Sequence, residues 1–167
     1  MAAMFAIYKR DQGDGKGQGV DFSLYEPLFR LVEAQVIGFD QLGLVKERIG
    51  NRLAEDSPRN TYKTKDGRWI GISASSQKTY ERLAVAIGRP DLITDPRFVN
   101  NALRCDNADS LDLVIAEWIR QYTLEQVMKI FEEYEVVASP VLDIRDIFSD
   151  PQYLFRENIL QFLSNLT

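Results

Sequence analysis

The chain has 167 residues, of which 45% are hydrophobic and 27% charged, so it contains enough apolar material for a buried core. Its net charge of −5 argues against a broad electrostatic attraction to nucleic acid or to anionic membranes. The chain contains no histidine, which excludes Ser-His-Asp and Cys-His catalysis and histidine-based zinc sites.

The single cysteine and the distribution of apolar residues indicate a cytoplasmic protein. Cys105 has no second cysteine with which to form a disulfide or share a metal, which is typical of a reducing compartment. No apolar run approaches the roughly 20 residues that cross a bilayer. The first ten residues lack the leading positive charge and the cleavage site of a secretory signal. We therefore expect a cytoplasmic location, no membrane partner and no bound metal.

The first part of the chain is predicted to be helical. Residues 2–8 have the composition of a buried helix, and four glycines within residues 13–19 then indicate a turn. These glycines lack the spacing of a dinucleotide-binding fingerprint and the ending of a P-loop, so a turn is the simpler interpretation. Residues 23–26 have the S-x-x-E form of a capping box, and apolar residues at helical spacing extend the predicted helix from residue 23 to about residue 38.

The next segment predicts a long loop followed by a β-hairpin. Residues 46–60 are polar and aperiodic and contain a Ser-Pro step, and loops of this length in compact domains are often functional. Residues 61–73 contain two β-rich runs joined at Asp66-Gly67, a strong hairpin signal. The two tryptophans, Trp69 and Trp118, are interpreted as core residues.

Three helices are predicted after the hairpin, and the first and third have capping residues. Ser76 is expected to cap a helix that Gly88 ends, and residues 91–106 are rich in turn formers. Apolar residues at helical spacing within residues 111–119 predict a further helix. Thr123 then begins a second capping box and a helix directly after it.

The end of the chain predicts a short strand and short helices, which makes the fold class α+β. Residues 136–144 have β character, and Pro140 confines such a strand to a sheet edge. A closing strand is predicted at residues 159–163. The carboxylates within residues 131–135 diverge around a helix and are interpreted as a solvated face, so the residues alone supply no nucleophile and no acid–base pair.

Six motifs in a fixed order resemble the class III CoA-transferase family, which includes formyl-CoA and carnitine CoA-transferases and α-methylacyl-CoA racemases. The resemblance covers nearly the whole chain from about residue 13. The motifs are GKGQGVDFSLYEPLF (15–29), GNR (50–52), Y-x-T-x-DGRWIGIS (62–73), IGRPDLITDPRF (87–98), R-x-x-N (104–107) and SPVLDIRDIFSDPQYLFREN (139–158).

The resemblance implies a helix-rich α+β small domain with a β-hairpin or short antiparallel sheet. Residues 1–45 would be linker helices that lead out of a Rossmann-like α/β large domain absent from this chain. Residues 46–145 would form the small domain. Residues 146–167 would be a C-terminal segment that returns toward the large domain.

The resemblance also implies an activity, namely the transfer of CoA between carboxylic acids through an aspartyl-CoA thioester. The nucleophilic aspartate is expected upstream of this chain, so we assign no catalytic residue here and expect the chain alone to be inactive. A CoA ester and a carboxylic acid would be the substrates, and no tightly bound cofactor is expected. Because members of the family are interlocked dimers, we expect a homodimer.

A loop of the small domain covers the intermediate in this family, and its position here follows residues 50–52. The expected substrate-binding residues are Asn51, Arg52, Ser57, Arg59 and Asn60. The loop lacks the glycine run of the formyl-CoA enzymes, which leaves the acid substrate open. Two alternatives also remain, namely a fragment from the racemase branch and a binding or assembly module without catalysis.

Overall fold

The computed structural model describes residues 1–160, which divide into two compact units. The first unit comprises residues 1–48, and the second begins at Ile49. The predicted closing strand at residues 159–163 lies mostly outside the described residues. The division falls three residues from the predicted end of the linker helices at residue 45.

The first unit contains short helices. Helix α1 spans Ala2–Gln12, α2 spans Glu26–Phe29, and α3 spans Glu33–Leu42 after a 3₁₀ turn at Arg30–Val32. The single helix predicted from residue 23 to about residue 38 is therefore wrong in its extent.

The start of α2 explains part of this difference. The Ser23 N–H donates to the Glu26 carboxylate at 3.2 Å, but Tyr25 occupies the N-cap position and its side chain makes no capping hydrogen bond. The ring of Pro27 supplies no N–H and fixes the first turn there. The capping-box sequence therefore forms only one of its two hydrogen bonds, and the helix begins at Glu26.

No residue of α1, α2 or α3 is buried. Their large apolar side chains are exposed, including Met4 at 73% and Leu42 at 72%. Exposed apolar surface of this extent is typical of segments that contact other protein.

The second unit contains a three-stranded antiparallel sheet. Strand β1 spans Arg59–Lys63, β2 spans Trp69–Ser73, and β3 spans Ala138–Pro140, in the spatial order β1-β2-β3. The hairpin prediction is confirmed: β1 and β2 pair around a turn in which Gly67 has a φ of 78°. The prediction of an edge strand containing Pro140 is confirmed as well.

Strand alternation gives the sheet two different faces. Tyr62, Ile70 and Ile72 are buried, so they mark the face that packs on the core. Trp69 lies one position before Ile70, points to the opposite face and is 45% exposed. The interpretation of Trp69 as a core residue is therefore wrong, because its parity in the strand places it on the outer face.

Among the described residues, six helices complete the second unit. They are α4 (Gln77–Ala86), α5 (Asn101–Asp106), α6 (Ala108–Ile119), α7 (Leu124–Glu133), α8 (Ile144–Ser149) and α9 (Pro151–Phe155). The predicted caps are confirmed, because Ser76 accepts from the Thr79 N–H and Thr123 forms a complete capping box with Gln126.

Helix α5 lies within residues 91–106, the region predicted to be turn-rich, and a 3₁₀ turn at Pro90–Ile93 overlaps the start of that region. The prediction missed the helix because α5 has only six residues, too few to show a helical period. Its cap was visible in the sequence: the Asn100 side chain accepts from the Leu103 N–H at 2.9 Å.

One hydrophobic core lies on the inner face of the sheet, and its largest members include Tyr80, Phe98 and Phe131. Trp118 is half-buried and stacks on Phe131 with 5.6 Å between the ring centroids, as expected for a residue at the core's edge. The predicted α+β class, rich in helix and with a small antiparallel sheet, is confirmed. Within the described residues, no helix is both long and apolar enough to span a membrane.

Candidate substrate-binding site on the outer face of the sheet

A cleft of about 330 Å³ lies on the outer face of the sheet. This volume is at the lower end of the range of roughly 300–1,000 Å³ that small-molecule sites occupy. Hydroxyl, amide and guanidinium groups from three strands and the preceding loop contribute to its walls. The cleft is lined by Asn51, Arg59, Asn60, Thr61, Gly71, Ile72, Ser73, Val137, Ala138 and Ser139.

The register of the strands brings the polar side chains of the cleft together. Arg59 is paired with Ser73, and Thr61 is paired with Gly71, which is in turn paired with Ser139. All of these residues have the parity of the outer face. Gly71 has no side chain and lies between the two hydroxyl-bearing neighbours, so the centre of the face stays open.

Arg59 is the one charged residue among the described residues that line this cleft. Its guanidinium has one carboxylate neighbour, Asp56, at 3.5 Å, and its side chain is 46% exposed. A single contact of this length in a solvated position is worth little. The cleft therefore has a positive group that is only weakly neutralised.

Asn51 closes one side of the cleft. Its side-chain amide donates to the Thr61 hydroxyl at 2.8 Å, which ties the loop to the middle of β1. A smaller depression of about 300 Å³ adjoins it and is lined by Asn51, Thr61, Trp69 and Val141. The exposed Trp69 ring thus forms an apolar wall next to the polar cleft.

A second group of polar residues lies between β1 and α6 and centres on Asp112, a buried carboxylate. Asp112 accepts from Arg52 Nε at 2.6 Å, from the Asn60 amide at 2.7 Å and from the Tyr62 hydroxyl at 2.5 Å. Arg52 also donates to Asp109 at 2.6 Å. This cluster, the Asp112 cluster, fixes both the loop and β1 against α6.

The Asp112 cluster changes the titration of its members. Burial acts to lower the pKa of Arg52, but its hydrogen bonds and the charges of Asp109 and Asp112 outweigh burial and raise that pKa. Burial, followed by the charge of Asp112, raises the pKa of Tyr62 far above its usual value. Arg52 therefore stays charged and Tyr62 stays a donor across the physiological pH range, and two carboxylates neutralise the guanidinium.

The second half of the long loop is anchored to α5. The buried Ser57 donates its N–H to the Asn101 side chain at 3.1 Å, and its carbonyl accepts from Arg104 Nε at 2.8 Å. The Asn101 amide also donates to the Glu55 carbonyl at 2.7 Å. Ser57 is consequently a buried residue of the loop and does not line the cleft.

Arg104 is fully buried and hydrogen-bonded without a carboxylate partner among the described residues. Besides Ser57, its guanidinium donates to the carbonyls of Ser75 and Phe98 at 2.7 and 3.1 Å, and its carbon lies 4.3 Å from the centroid of the Tyr80 ring. Burial lowers the pKa of Arg104. The R-x-x-N motif at residues 104–107 therefore has a structural role, because it joins segments far apart in the sequence.

The five residues predicted to bind substrate fall into three positions. Asn51 and Arg59 line the outer cleft, whereas Arg52 and Asn60 donate to Asp112, although Asn60 also reaches the cleft wall. Ser57 is buried.

The sequence prediction missed four residues that form the site: Thr61, Ser73 and Ser139 in the cleft, and Asp112 beneath it. The period-2 alternation of the hairpin could have identified Thr61 and Ser73, because Tyr62, Ile70 and Ile72 mark the buried parity. No local signal distinguished Asp112 from the other acidic residues on helices.

In the described part of the chain, no group of three or more Cys, Asp or Glu residues is arranged to hold a metal.

Comparison with known proteins identifies the class of protein that this structure represents. The sequence profile described as CoA-transferase family III matches residues 1–165. The chain therefore belongs to CoA-transferase family III, which confirms the resemblance drawn from the six motifs.

Two relatives are similar along nearly all of this chain. Succinyl-CoA–D-citramalate CoA-transferase from Chloroflexus aurantiacus is 36% identical over 160 residues, which cover 96% of this chain and 40% of the relative. Succinyl-CoA:mesaconate CoA-transferase from Haloarcula hispanica is 32% identical over 152 residues, which cover 91% and 37%. The chain thus spans about 40% of the length of these relatives.

A solved structure has the same fold. A CAIB/BAIF family protein from Brucella suis superposes with a TM-score of 0.79 at 26% identity, over 93% of this chain and 40% of that one.

Proposed function

We propose that this chain is the small-domain part of a CoA-transferase that moves CoA from succinyl-CoA to a dicarboxylic acid. The observation that carries this proposal is the match to succinyl-CoA transferases over more than nine-tenths of the chain. Citramalate and mesaconate, named for those relatives, are both dicarboxylic acids. A cleft in which Arg59 is the one charged residue among the described lining residues suits an acid of this kind.

The catalytic nucleophile of this enzyme would be an aspartate outside residues 1–167. The chain covers about 40% of its relatives, so the larger part of a family member lies beyond the matched region. In the proposed enzyme, the described chain would supply the face that binds the acid. The part of the enzyme beyond the matched region would supply the nucleophile and most of the CoA contacts. CoA esters are then substrates and not resident cofactors, and we expect the assembled enzyme to be a homodimer.

The proposed reaction proceeds in two pairs of acyl-transfer steps. The aspartate carboxylate attacks the thioester carbonyl carbon of the donor, the C–S bond breaks, CoA leaves as a thiolate and a mixed anhydride remains. The thiolate attacks the aspartyl carbonyl of the anhydride, which releases the donor acid and leaves an aspartyl-CoA thioester. The acceptor carboxylate then displaces the thiolate to form a second anhydride, and the thiolate attacks the acceptor carbonyl and frees the aspartate.

The described residues contribute binding and rigidity to these steps. Arg59 and the hydroxyls around it would bind the acceptor acid before its carboxylate attacks the aspartyl thioester. The hydrogen bonds that Asn101 and Arg104 make with the backbone of residues 55–57 fix the chain just before β1, where Arg59 begins the strand. A positioned acid competes with water for the thioester, which limits hydrolysis.

The test is transfer of CoA by the native enzyme that contains this chain. Purified enzyme is incubated with succinyl-CoA and a panel of acids that includes citramalate, malate and mesaconate, and the CoA esters are separated by liquid chromatography. We expect a new CoA ester and an equal amount of free succinate. Acid-quenched enzyme should also carry a covalent adduct with the mass of CoA less one water, as an aspartyl thioester requires.

Two results would contradict the proposal. Epimerisation of a 2-methylacyl-CoA without transfer would place the protein in the racemase branch. Retention of unchanged succinyl-CoA with every acid, by enzyme that is folded by circular dichroism, would favour a binding or assembly module.

A further inference from the structure

We infer that Arg59 binds the second carboxylate of a dicarboxylic acid acceptor, the one that does not react, on the outer face of β1 and β2. This inference rests on the proposed function and adds to it the group that is recognised and the residue that selects it. It predicts that Arg59 determines specificity for dicarboxylic over monocarboxylic acids. No catalytic step is assigned to Arg59.

The two arginines near the site differ in how far they are neutralised. Arg52 donates to two carboxylates at 2.6 Å, one of them the buried Asp112, and so its charge is already matched. In the part of the chain that the structure describes, Arg59 has one carboxylate neighbour, Asp56, at 3.5 Å. Short, charge-assisted contacts are much stronger than one long contact in solvent. Arg59 is therefore the arginine that can bind a further carboxylate without breaking a strong ion pair.

The groups around Arg59 are hydrogen-bond donors. The Ser73 and Ser139 hydroxyls have no partner among the described residues. The Thr61 oxygen accepts from Asn51, which leaves the Thr61 O–H available to donate. No carboxylate lines the cleft in the described chain, and Asp56 reaches the Arg59 guanidinium only at 3.5 Å from outside it. A guanidinium with nearby hydroxyls is the arrangement that binds carboxylate oxygens in pairs.

The size of the cleft favours a small acid over a larger anionic group. Its volume of about 330 Å³ sits at the small end of ligand sites, and its centre is Gly71, where a side chain would otherwise fill the space. The nearest heavy atom that a β-carbon at Gly71 would meet is the Ser139 carbonyl oxygen at 3.8 Å. The floor of the cleft is therefore open and can take a compact carboxylate.

The experiment compares two acceptors that differ by one carboxylate. Succinate and butyrate have the same chain length, but butyrate has a methyl group where succinate has the second carboxylate. The native enzyme and its Arg59→Met and Arg59→Lys variants are assayed for CoA transfer to each acid from a common CoA-ester donor. Succinyl-CoA is the donor in both assays. It carries an isotope label when succinate is the acceptor, so that the CoA ester formed can be told from the donor.

We expect Arg59→Met to raise KM for succinate roughly 10- to 100-fold, the range for loss of a hydrogen-bonded charge pair, with little change in kcat. KM for butyrate should stay unchanged. Arg59→Lys should give an intermediate KM for succinate, because it keeps the charge and loses the paired geometry.

Arg89→Met is the matched control. The Arg89 side chain is 46% exposed, as Arg59 is, and it pairs with one aspartate, Asp91, outside the cleft. The control should leave both KM values unchanged, which shows that loss of one exposed arginine does not alter binding by itself.

Three outcomes would overturn the inference. If Arg59→Met changes KM for succinate and butyrate by the same factor, or changes kcat alone, Arg59 does not bind the second carboxylate. If the wild-type enzyme has equal KM for the two acids, the site does not select dicarboxylates, although the transferase function stands. If the wild-type enzyme transfers CoA to neither acid nor to any other acid tested, the proposed function fails together with the inference.

Discussion

Arg52 and Asp112 are 60 residues apart in the sequence and are joined by an ion pair of 2.6 Å between Nε and Oδ2. This contact ties the long loop before β1 to helix α6. The same carboxylate holds Asn60 and Tyr62 of β1, so one buried group fixes the loop, the strand and the helix. Asp112 is therefore the residue on which the geometry of the candidate site depends most.

Asp112→Ala should destabilise the protein strongly. The change leaves the buried Tyr62 hydroxyl and the charge of Arg52 without their main partner, and breaking a buried, hydrogen-bonded charge pair costs about 3–5 kcal/mol. We expect a loss of this size in the free energy of unfolding, measured by urea denaturation. Asp109→Ala is the control, because Asp109 contacts the same arginine at the same 2.6 Å but is 89% exposed.

The Asp109→Ala control should cost no more than about 1 kcal/mol, because a solvated ion pair contributes little. Equal losses for the two alanine variants would contradict the central role of Asp112.

Arg104→Met should also destabilise the protein. The variant leaves the carbonyls of Ser57, Ser75 and Phe98 without the donor that now reaches all three, and we expect a loss of about 3 kcal/mol in the free energy of unfolding. Arg104→Lys should rescue little, because one ammonium cannot reproduce the planar fork.

The control for this measurement is Arg120→Met, a substitution at an exposed position at the end of α6. It should change the free energy of unfolding by no more than about 0.5 kcal/mol. A loss for Arg104→Met as small as that of the control would show that the buried guanidinium does not join these segments.

Local signals in the sequence predicted the elements of the second unit well, because each signal is a side chain or glycine that acts on the backbone next to it. Asp66-Gly67 requires a turn, and Gly67 adopts the positive φ that such a turn needs. Ser76 and Thr123 each accept a hydrogen bond from the first turn of a helix, as their side chains allow. These features depend on residues close together in the chain.

The features that the sequence left undetermined depend on contacts between distant residues. Asp112 looks like any other acid on an amphipathic helix until β1 is placed beside it. Arg104 looks like a surface arginine, because its acceptors are mainly backbone carbonyls, which have no sequence signature, together with the distant Gln77 side chain. Ser57 was predicted to face substrate from its position in a polar loop, whereas its anchoring to α5 buries it.

Asp143 gives a prediction for the pH dependence of stability. Its carboxylate caps α8 and accepts from the Arg145 guanidinium. The hydrogen bond from the Arg145 side chain, followed by that from the Asp146 N–H, lowers the pKa of Asp143 to about 2. The unfolded value is about 3.9. Because the folded pKa is the lower one, this stabilisation is complete above about pH 4 and is lost as the pH falls toward 2.

Carboxyl-carbon NMR measures this titration directly. The Asp143 signal should titrate near pH 2 in the wild-type protein, and Arg145→Met should move its midpoint upward, because the variant removes the largest cause of the shift. A midpoint at the unfolded value in the wild-type protein would show that the carboxylate does not make these contacts in solution.

The Cys105 thiol should react slowly with thiol-specific reagents. Burial, followed by the negative charge of Asp56, raises the pKa of the Cys105 thiol above its usual value, so less of it is thiolate at neutral pH. We expect a thiol-specific disulfide reagent to react with Cys105 more slowly in the folded protein than in the denatured protein at pH 7. Equal rates in the two states would contradict this environment for the thiol.

The most direct test of CoA-transferase function is isotope exchange. The native enzyme that contains this chain is incubated with unlabelled succinyl-CoA and ¹³C-succinate, and the CoA ester is analysed by mass spectrometry. Reversible transfer through the enzyme predicts that label enters succinyl-CoA until donor and free acid have the same enrichment. Succinyl-CoA that remains unlabelled, in the presence of folded enzyme, would contradict the assignment of transferase activity.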